Sequence, residues 1–395
     1  MTDARHNHAH PPVTIVTPSL NQGVYIADAI DSVLAQDYPN IEYLVVDGGS
    51  TDATLDILES YGDRLQWVSE RDRGQADAIN KGFRRARGDI LGWLNADDVY
   101  APEAIARAVA AFASSPDAGL VYGNGAILDE AGRVVRDFHE IEPFSLWRLV
   151  HCLDFVLQPA AFFRRALTLQ AGLLDEDLEF GLDWDLWIRL AGLGEVRYLD
   201  EKLGFSRVHG ATKTSTGGWR RIRELRRLAA RHAGRAWTPG VQLYALDTLG
   251  ARLANGGGRL WQRGVRRLQR SISRHITEGL PLHADGWLGP RGRLLVPRRW
   301  GAATVVLEAH RAPAGRNMLV DIIAEGRRLA RRELTRPGEL SLSVPLPPGN
   351  RPFVELRVHC DFSFTAPPDR RRLSLRCTAL EPCAAETLRS PSRIT

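Results

Sequence analysis

From residue 13 to about residue 120 the chain alternates short apolar runs with stretches whose apolar residues recur at helical spacing. Residues 13–17 read as a strand, 24–35 as an amphipathic helix and 41–46 as a β-branched strand. A helix over 52–61 follows, with Ser50, Thr51 and Asp52 as candidate N-caps. Residues 65–68 form a third predicted strand, 75–87 a helix and 90–94 a fourth strand. Pro102 sits in the first turn of a further helix that runs to about residue 114. Such alternation predicts an α/β fold, a mostly parallel sheet with flanking helices. Ligands of open sheets of this kind bind beyond the C-terminal strand ends.

The pattern then changes twice. Residues 119–215 are mixed, with a helix predicted over 183–190 around Trp184, Trp187 and Ile188 and short strands over 197–199 and 204–208. Residues 219–235 and 259–274 are arginine-rich helical stretches separated by three glycines at 256–258. After residue 279 short apolar runs at 293–296, 304–308, 318–323, 340–344, 353–358 and 372–377 alternate with Gly and Pro clusters, the pattern of a β-sandwich. The expected divisions are a leader 1–11, an α/β domain 12–216, an arginine-rich helical segment 217–280, a sandwich 281–383 and a tail 384–395.

Composition adds limits. With 395 residues, two or three domains are expected, and 25% charged residues against 44% apolar mark a globular chain. The net charge of +5 comes from arginines concentrated after Trp219, whereas the acids lie mostly in the first part. Four cysteines, Cys152, Cys360, Cys377 and Cys383, lack CxxC spacing, so a reducing cytoplasm is the expected compartment. The first residues carry His6, His8 and His10 in a polar leader without the apolar run of a signal peptide. No apolar run approaches the ~20 residues of a membrane span, so membrane contact is expected to be peripheral. The basic amphipathic stretch from Trp219 to Leu228 fits either an anionic membrane surface or a helix packed on the protein. Nucleic-acid binding gains no support from the acidic chemistry nearby.

That chemistry sits at the predicted strand ends. Asp47 closes one strand and is followed by Gly48-Gly49-Ser50-Thr51-Asp52; Glu70 and Asp72 follow the third; Asp97 and Asp98 follow the fourth. Buried carboxylates are costly unless paired or bound to a cation. Hard divalent cations take oxygen ligands and share them with phosphates. Glycines beside the acids permit close backbone approach, and helix N-termini favour anions.

These segments resemble the family 2 glycosyltransferases of GT-A fold. Thr17-Pro18-Ser19-Leu20-Asn21 is similar to the family's opening strand and turn, and residues 45–52 to its nucleotide-binding segment. Gln75-Ala76-Asp77-Ala78-Ile79-Asn80-Lys81-Gly82 resembles the helix before the metal strand, and Asn95-Ala96-Asp97-Asp98 the Asp-x-Asp region. Residues 182–190, opening Leu182-Asp183-Trp184-Asp185, are similar to the motif that supplies the base. The resemblance covers about residues 12–215. It departs where Gly48 stands for a second aspartate, Asn95 for the first acid of Asp-x-Asp, and Leu182 for a glutamate.

The resemblance implies a Rossmann-like GT-A domain and an inverting single displacement from a nucleotide-diphosphate sugar to a hydroxyl of a glycan or lipid-linked acceptor. It implies Asp183 as the base with Asp185 as runner-up. An N-terminal helix cap is the other reading of Asp183, and the two are compatible. The donor site implied comprises Thr17, Pro18, Ser19, Asn21, Asp47, Gly49, Asp72, Asp77, Asn80, Lys81, Asn95, Ala96 and Asp97. Asp97 is the implied ligand of a Mn²⁺ or Mg²⁺ cofactor, and His209 is implied as a ligand of that metal or of the diphosphate, with a structural or exposed histidine as its other reading. Helix capping remains open for Asp47, and a solvated helix face for Asp77 and Asn80. Trp184 and Trp187 are candidates for sugar stacking or for packing.

Asp285-Gly286-Trp287 and Arg370-Arg371-Arg372-Leu373-Ser374 resemble ends of small sandwich appendages in polysaccharide-assembly proteins. Carbohydrate binding and packing or oligomerisation both stay open there. Trp287, Trp300 and Phe364 are candidates for sugar stacking or core. Two rivals are carried forward. A sugar-phosphate nucleotidyltransferase would open with a glycine- and arginine-rich phosphate loop, unlike residues 17–23. A decayed GT-A domain acting as a carbohydrate-binding protein is motivated by Asn95 and Leu182. Bacterial surface polysaccharide synthesis is the expected setting.

Overall fold

The computed structural model describes residues 10–138, 141–210, 212, 217–255, 259–289, 291–313, 317–365 and 371–383. The leader as far as residue 9, the 256–258 glycine run, Arg370 and the 384–395 tail lie outside the described residues. The chain divides into two compact units, residues 1–144 with 154–224 and residues 145–153 with 225–395.

The first unit opens with β1 (Val13–Ser19), α1 (Ile26–Leu34), β2 (Ile41–Asp47), α2 (Thr54–Ser60), β3 (Gln66–Ser69), α3 (Gln75–Arg85) and β4 (Ile90–Trp93). Then come β5 (Val99–Tyr100), α4 (Ala104–Ser114), β6 (Ala118–Leu128) and β7 (Val134–Asp137). A short α5 (Leu146–His151) belongs to the second unit, and the first resumes with β8 (Ala161–Arg164), α6 (Arg165–Gln170), α7 (Leu182–Leu193) and β9 (Glu195–Arg207). The sheet order is β3-β2-β1-β4-β8-β6-β9-β5, with β7 on β6. Its first four strands are parallel, whereas β8 runs antiparallel to both β4 and β6. The strands expected at 197–199 and 204–208 are one 13-residue strand, β9, whose register on β6 shifts around Asn124. The core is built by β-branched and aromatic residues of β1, β2, α1 and α4, including Ile15, Val45, Ile30 and Phe112.

Close packing fixes where the fourth strand runs. Gly92 on β4 has no room for a side chain: a Cβ there would meet the Tyr100 hydroxyl at 2.5 Å and the Ile15 Cδ1 at 2.6 Å. Strand β4 carries the chain straight into Asn95-Ala96-Asp97-Asp98, so this contact sets the height at which the acids emerge.

The second unit holds most of α8 (Gly218–Ala233), then α9 (Pro239–Asn255) and α10 (Arg259–Glu278). The apolar residues of α8, Ile222, Leu225, Leu228 and Ala229, are buried in protein. Its apolar stripe is therefore not available to a membrane, and packing wins over surface binding for this helix. Eight strands follow: β10 (Trp287–Leu288), β11 (Arg291–Pro297), β12 (Ala302–Ala309), β13 (Met318–Ala324), β14 (Arg327–Leu334), β15 (Gly338–Pro345), β16 (Phe353–Cys360) and β17 (Leu375–Pro382). They form two antiparallel sheets, β10-β17-β12-β15 and β11-β16-β13-β14. Strand β14 escaped the sequence reading because Arg327, Arg328, Arg331 and Arg332 mask its alternation; Arg331 instead clamps Asp321 of β13 with two bonds of 2.7 and 2.8 Å. Trp287, Trp300 and Phe364 are half-buried, and Trp287 packs edge-on against Phe364 with ring centres 5.8 Å apart.

Gly92→Ala is expected to lower unfolding free energy by about 1–3 kcal/mol through overpacking, read by denaturant titration.

Candidate active site at the C-terminal sheet edge

Ser19 of β1 is in register with Asp47 of β2, and Asp47 with Ser69 of β3, so the loops after these strands share one edge. The loops are stitched together. Asn21, in the left-handed region at φ 52, accepts from the Thr51 amide at 2.8 Å, while its own amide donates to Ser50 Oγ at 2.7 Å. The Gln22 amide reaches Thr54 Oγ1 at 2.9 Å, and the Gly23 amide reaches Asp52 at 2.9 Å.

Asp47 is fully buried and already occupied. It accepts from the amides of Gly49 and Ser50 at 2.9 and 2.8 Å, from the Ser50 hydroxyl, and from Ser69 Oγ at 2.7 Å. Its carboxylate therefore builds the loop and presents no oxygen at the edge. The structure also accounts for Gly48. A Cβ at that position would lie 2.4 Å from Asp72 Oδ2, so the Asp72 carboxylate fills the space where a second aspartate would begin. Asp72 is held through Oδ1 by the Gly74 amide at 2.9 Å and keeps partial exposure. Gly49 beside it sits at φ +90, a conformation that favours glycine. Thr17 and Pro18 lie buried below the edge, with Thr17 bonded to Tyr43 at 3.1 Å. Ser19 Oγ is buried at the strand end without a hydrogen-bond partner among the described residues.

On α3, Asp77, Asn80 and Lys81 are engaged within the protein. Asp77 accepts from the Arg73 amide at 3.0 Å and lies 3.5 Å from Lys81. Burial opposes its ionisation, but Arg73 and Lys81 outweigh it and hold the carboxyl below its ordinary range. Lys81 also pairs with Glu70 at 3.1 Å. Asn80 is buried, donating to the Leu174 carbonyl at 3.0 Å and to Glu176 at 3.1 Å and accepting from the Leu174 amide at 2.9 Å. It straps α3 to the loop that leads to α7.

Asn95 is the centre of the acid loop. Its Oδ1 accepts from Gln75 and from the Trp93 indole, each at 2.8 Å. Its Nδ2 donates to Asp98 Oδ2 at 3.0 Å and to Gln158 Oε1 at 2.8 Å. The other end of the Gln158 amide donates to the Trp93 carbonyl, which fixes its orientation. All four hydrogen-bonding positions of Asn95 are thus filled by protein. A residue here must donate toward Asp98 and Gln158, which an ionised aspartate does not do. Ala96 beside it is buried.

Asp98 is buried, and burial followed by the neighbouring Asp97 pushes its carboxyl up, against the Arg207 amide, Asn95 and Ser206, which bond to it. Asp97 keeps partial exposure, and its Oδ2 lies 3.1 Å from His209 Nε2. The His209 ring packs on Tyr25 with centres 4.8 Å apart. Arg207 rivets the arrangement. Its amide donates to Asp98 at 2.9 Å, and its guanidinium to the carbonyls of Asp97 and Glu130 at 2.9 and 3.1 Å and to Asp28 at 2.7 Å. The Asp97 oxygen and the His209 nitrogen, 3.1 Å apart, are the donor atoms that would hold a divalent cation here. Among the described residues no trio of His, Cys, Asp or Glu converges on one point, so these two would share the ion with oxygens of a ligand.

The two candidate bases separate clearly. Asp185 is fully buried and paired with Arg189 at 2.7 Å, so it is closed to an acceptor. Asp183 stands in the first turn of α7, keeps partial exposure and accepts from the Trp184 amide at 2.8 Å. Burial raises its pKa; the Trp184 amide and Arg221 oppose the rise and Glu224 adds to it. Glu224, from α8, is buried and accepts from three successive amides, Glu179, Phe180 and Gly181, at 2.8, 2.7 and 2.8 Å. These amides immediately precede α7, so Glu224 fixes where that helix starts. Burial pushes the Asp154 carboxyl up, and the charge of Asp183 adds to the push. The Asp154 segment continues to Gln158, so the surroundings of Asp183 and the acid loop share one short connection. Trp184 and Trp187 are both buried, which makes them packing residues. Arg207, Gln158, Gln75, Glu224 and Asp154 were not read as site residues from the sequence. The sequence signalled only Arg207, as an arginine inside a predicted strand, and Gln75, as the first residue of the quoted helix motif.

The family described as Glycosyl transferase family 2 matches residues 14–167. An uncharacterised glycosyltransferase of Rickettsia typhi is 33% identical over 223 residues, 54% of this chain and 69% of the relative. Chondroitin synthase of Escherichia coli is 28% identical over 52% of this chain and 30% of its own length. Among solved structures, the mannosyltransferase PcManGT of Pyrobaculum calidifontis, in complex with GDP-Man and Mn²⁺, aligns at 21% identity and TM-score 0.48, covering 68% of this chain and 85% of that one. TarS 1–349 of S. aureus with UDP-GlcNAc aligns at 19% and 0.47, covering 60% and 72%.

Asn95→Asp, which restores the acid usual in Asp-x-Asp, is expected to destabilise the fold by about 1–3 kcal/mol by turning two donors into acceptors against Asp98 and Gln158. Denaturant titration should show a larger loss at about pH 8 than at about pH 5, because acidification returns a proton between the facing carboxyls.

Proposed function

The chain belongs to glycosyl transferase family 2, and on that premise we propose that it moves a sugar, with inversion, from a nucleotide-diphosphate sugar to a hydroxyl of a glycan or lipid-linked acceptor. The observation that carries the reading is the pairing of two partly exposed carboxylate regions on one framework: Asp97 beside His209 at the strand edge, and Asp183 at the start of α7. Asp47, Asn21 and Asn95 serve by shaping the loops. Asp72, the Gly49 backbone and Asp97 are the groups left to meet the donor. A Mn²⁺ or Mg²⁺ ion held by Asp97 and His209 would neutralise charge on the diphosphate.

In the proposed reaction the acceptor oxygen attacks the anomeric carbon as the bond to the diphosphate oxygen breaks. Asp183 takes the acceptor proton, and the bond electrons leave with the diphosphate. The partly exposed carboxyl of Asp183 suits this task, and its raised pKa makes it a stronger base than an ordinary aspartate. A glycan acceptor is consistent with the relative named chondroitin synthase. We place the reaction in bacterial surface polysaccharide synthesis, in the cytoplasm with peripheral contact at the inner membrane face. The saturated amide of Asn95 weakens the reading of a decayed binding protein, because that residue is kept for architecture while Asp97 stays accessible.

Asp183→Asn should lower turnover by about 10²–10⁴-fold while leaving donor binding intact; a screen of nucleotide sugars with and without Mn²⁺ or Mg²⁺ supplies the assay, and undiminished transfer in the variant would overturn the base. Since Asp183 must be ionised to act, activity falls as pH drops through its raised pKa. Removing the Glu224 charge by Glu224→Gln should therefore move that acid limb to lower pH. An unmoved limb in a folded variant would exclude Asp183 as the group that sets it.

A further inference from the structure

Helix α10 is exposed along its whole length; none of its residues is buried. Its polar stripe carries Arg259, Arg263, Arg266, Arg267, Arg270 and Arg274, against one carboxylate, Glu278. None of the six arginines is ion-paired among the described residues. The opposite stripe carries Trp261, Leu268 and Ile272, spaced by seven and four residues and therefore aligned on one face. Trp261 is 55% exposed and Leu268 63%. Helix α9 runs alongside, antiparallel: Trp261 Nε1 donates to the Leu253 carbonyl at 2.7 Å, and Gln269 donates to Asp247 at 2.6 Å. It adds Leu249 and Leu253, both more than 40% exposed. Exposed apolar patches of this kind mark interaction sites.

We propose that the α9–α10 hairpin docks this protein on an anionic lipid surface, with Trp261, Leu268 and Ile272 in the acyl boundary and the arginines at headgroup level. The inference deepens the peripheral-contact part of the reading above and rests on it. Two features select the partner. Uncompensated arginines repel a second copy of the same stripe but attract acidic headgroups. A duplex nucleic acid would match the charge yet leave the apolar stripe in water, whereas an interfacial helix uses both. The helix is too polar to span a bilayer, and no described helix is long and apolar enough to do so.

The test is co-sedimentation of the full chain with vesicles of phosphatidylcholine alone or with about one third phosphatidylglycerol. Binding is expected only to the anionic vesicles and should weaken with salt. Each of Arg267→Gln and Arg270→Gln should weaken it about fivefold, and Leu268→Glu should abolish it. These side chains are exposed, so circular dichroism and nucleotide-sugar hydrolysis should stay unchanged. Absent or equal binding to both vesicle types overturns the proposal, as does binding that ignores all three variants. It is also overturned if Leu268→Glu converts a dimer to a monomer in light scattering, or if the chain binds duplex DNA in a manner Leu268→Glu does not alter. Hydrolysis measured on the same samples separates a failed transferase reading from a failed docking surface.

Discussion

The first unit depends on keeping a carboxylate, Asp98, inside the protein at the end of β4. A buried acid is tolerated only when its oxygens are met by donors. Here three donors come from two elements: the Asn95 amide on its own loop, and the Arg207 amide and Ser206 on β9. Satisfying Asp98 therefore draws β9 against the end of β4. That is what carries His209, two residues beyond β9, to Asp97. The partly exposed acid owes its position to the buried one.

The same economy separates acids that build from acids that face outward. Asp47, Asp98, Asp185 and Glu224 are buried and bonded to amides or cations. Asp72, Asp97 and Asp183 retain partial exposure. A structural carboxylate accepts several short bonds from fixed donors. A carboxylate that must meet a ligand or a proton needs at least one oxygen left to it. On that criterion Asn95 belongs with the builders, and its departure from Asp-x-Asp follows from its neighbours.

Much of the α/β framework was legible because apolar periodicity is a local signal. The first four strands and the intervening helices appear close to where the spacing puts them. The strands β6 and β8 were hidden because β6 is buried on both faces, so it shows no alternation and Gly123-Asn124-Gly125 interrupts its apolar run, and because β8 spans only four residues. Helix α9 was missed through its near-uniform mix of small, apolar and polar residues. At the candidate site, the residue types put the acids at the C-terminal strand ends, where the structure also has them, but did not separate the surroundings of each acid. Asp47 and Asp72 both follow strands, yet one is enclosed by Ser50 and Ser69 while the other lies over Gly48. Those partners sit 3 to 24 residues away in sequence, and no local pattern records which of them turns inward.

The loop from Leu173 to Gly181 shows how distant residues hold Asp183, the proposed base, in place. At its start Asn80 of α3 grips Leu174 by both its amide and its carbonyl. At its end Glu224 receives the three amides before α7. A loop fixed at both ends allows α7 little freedom to slide, so Asp183 is held relative to α3, whose first residue, Gln75, bonds Asn95 of the acid loop. Side chains that were candidates for touching the donor thus set the spacing between the two halves of the site. In a single displacement that spacing decides whether the acceptor oxygen and the breaking bond fall in line. On the proposed mechanism Asn80 and Glu224 would act through geometry, by fixing the loop that positions Asp183.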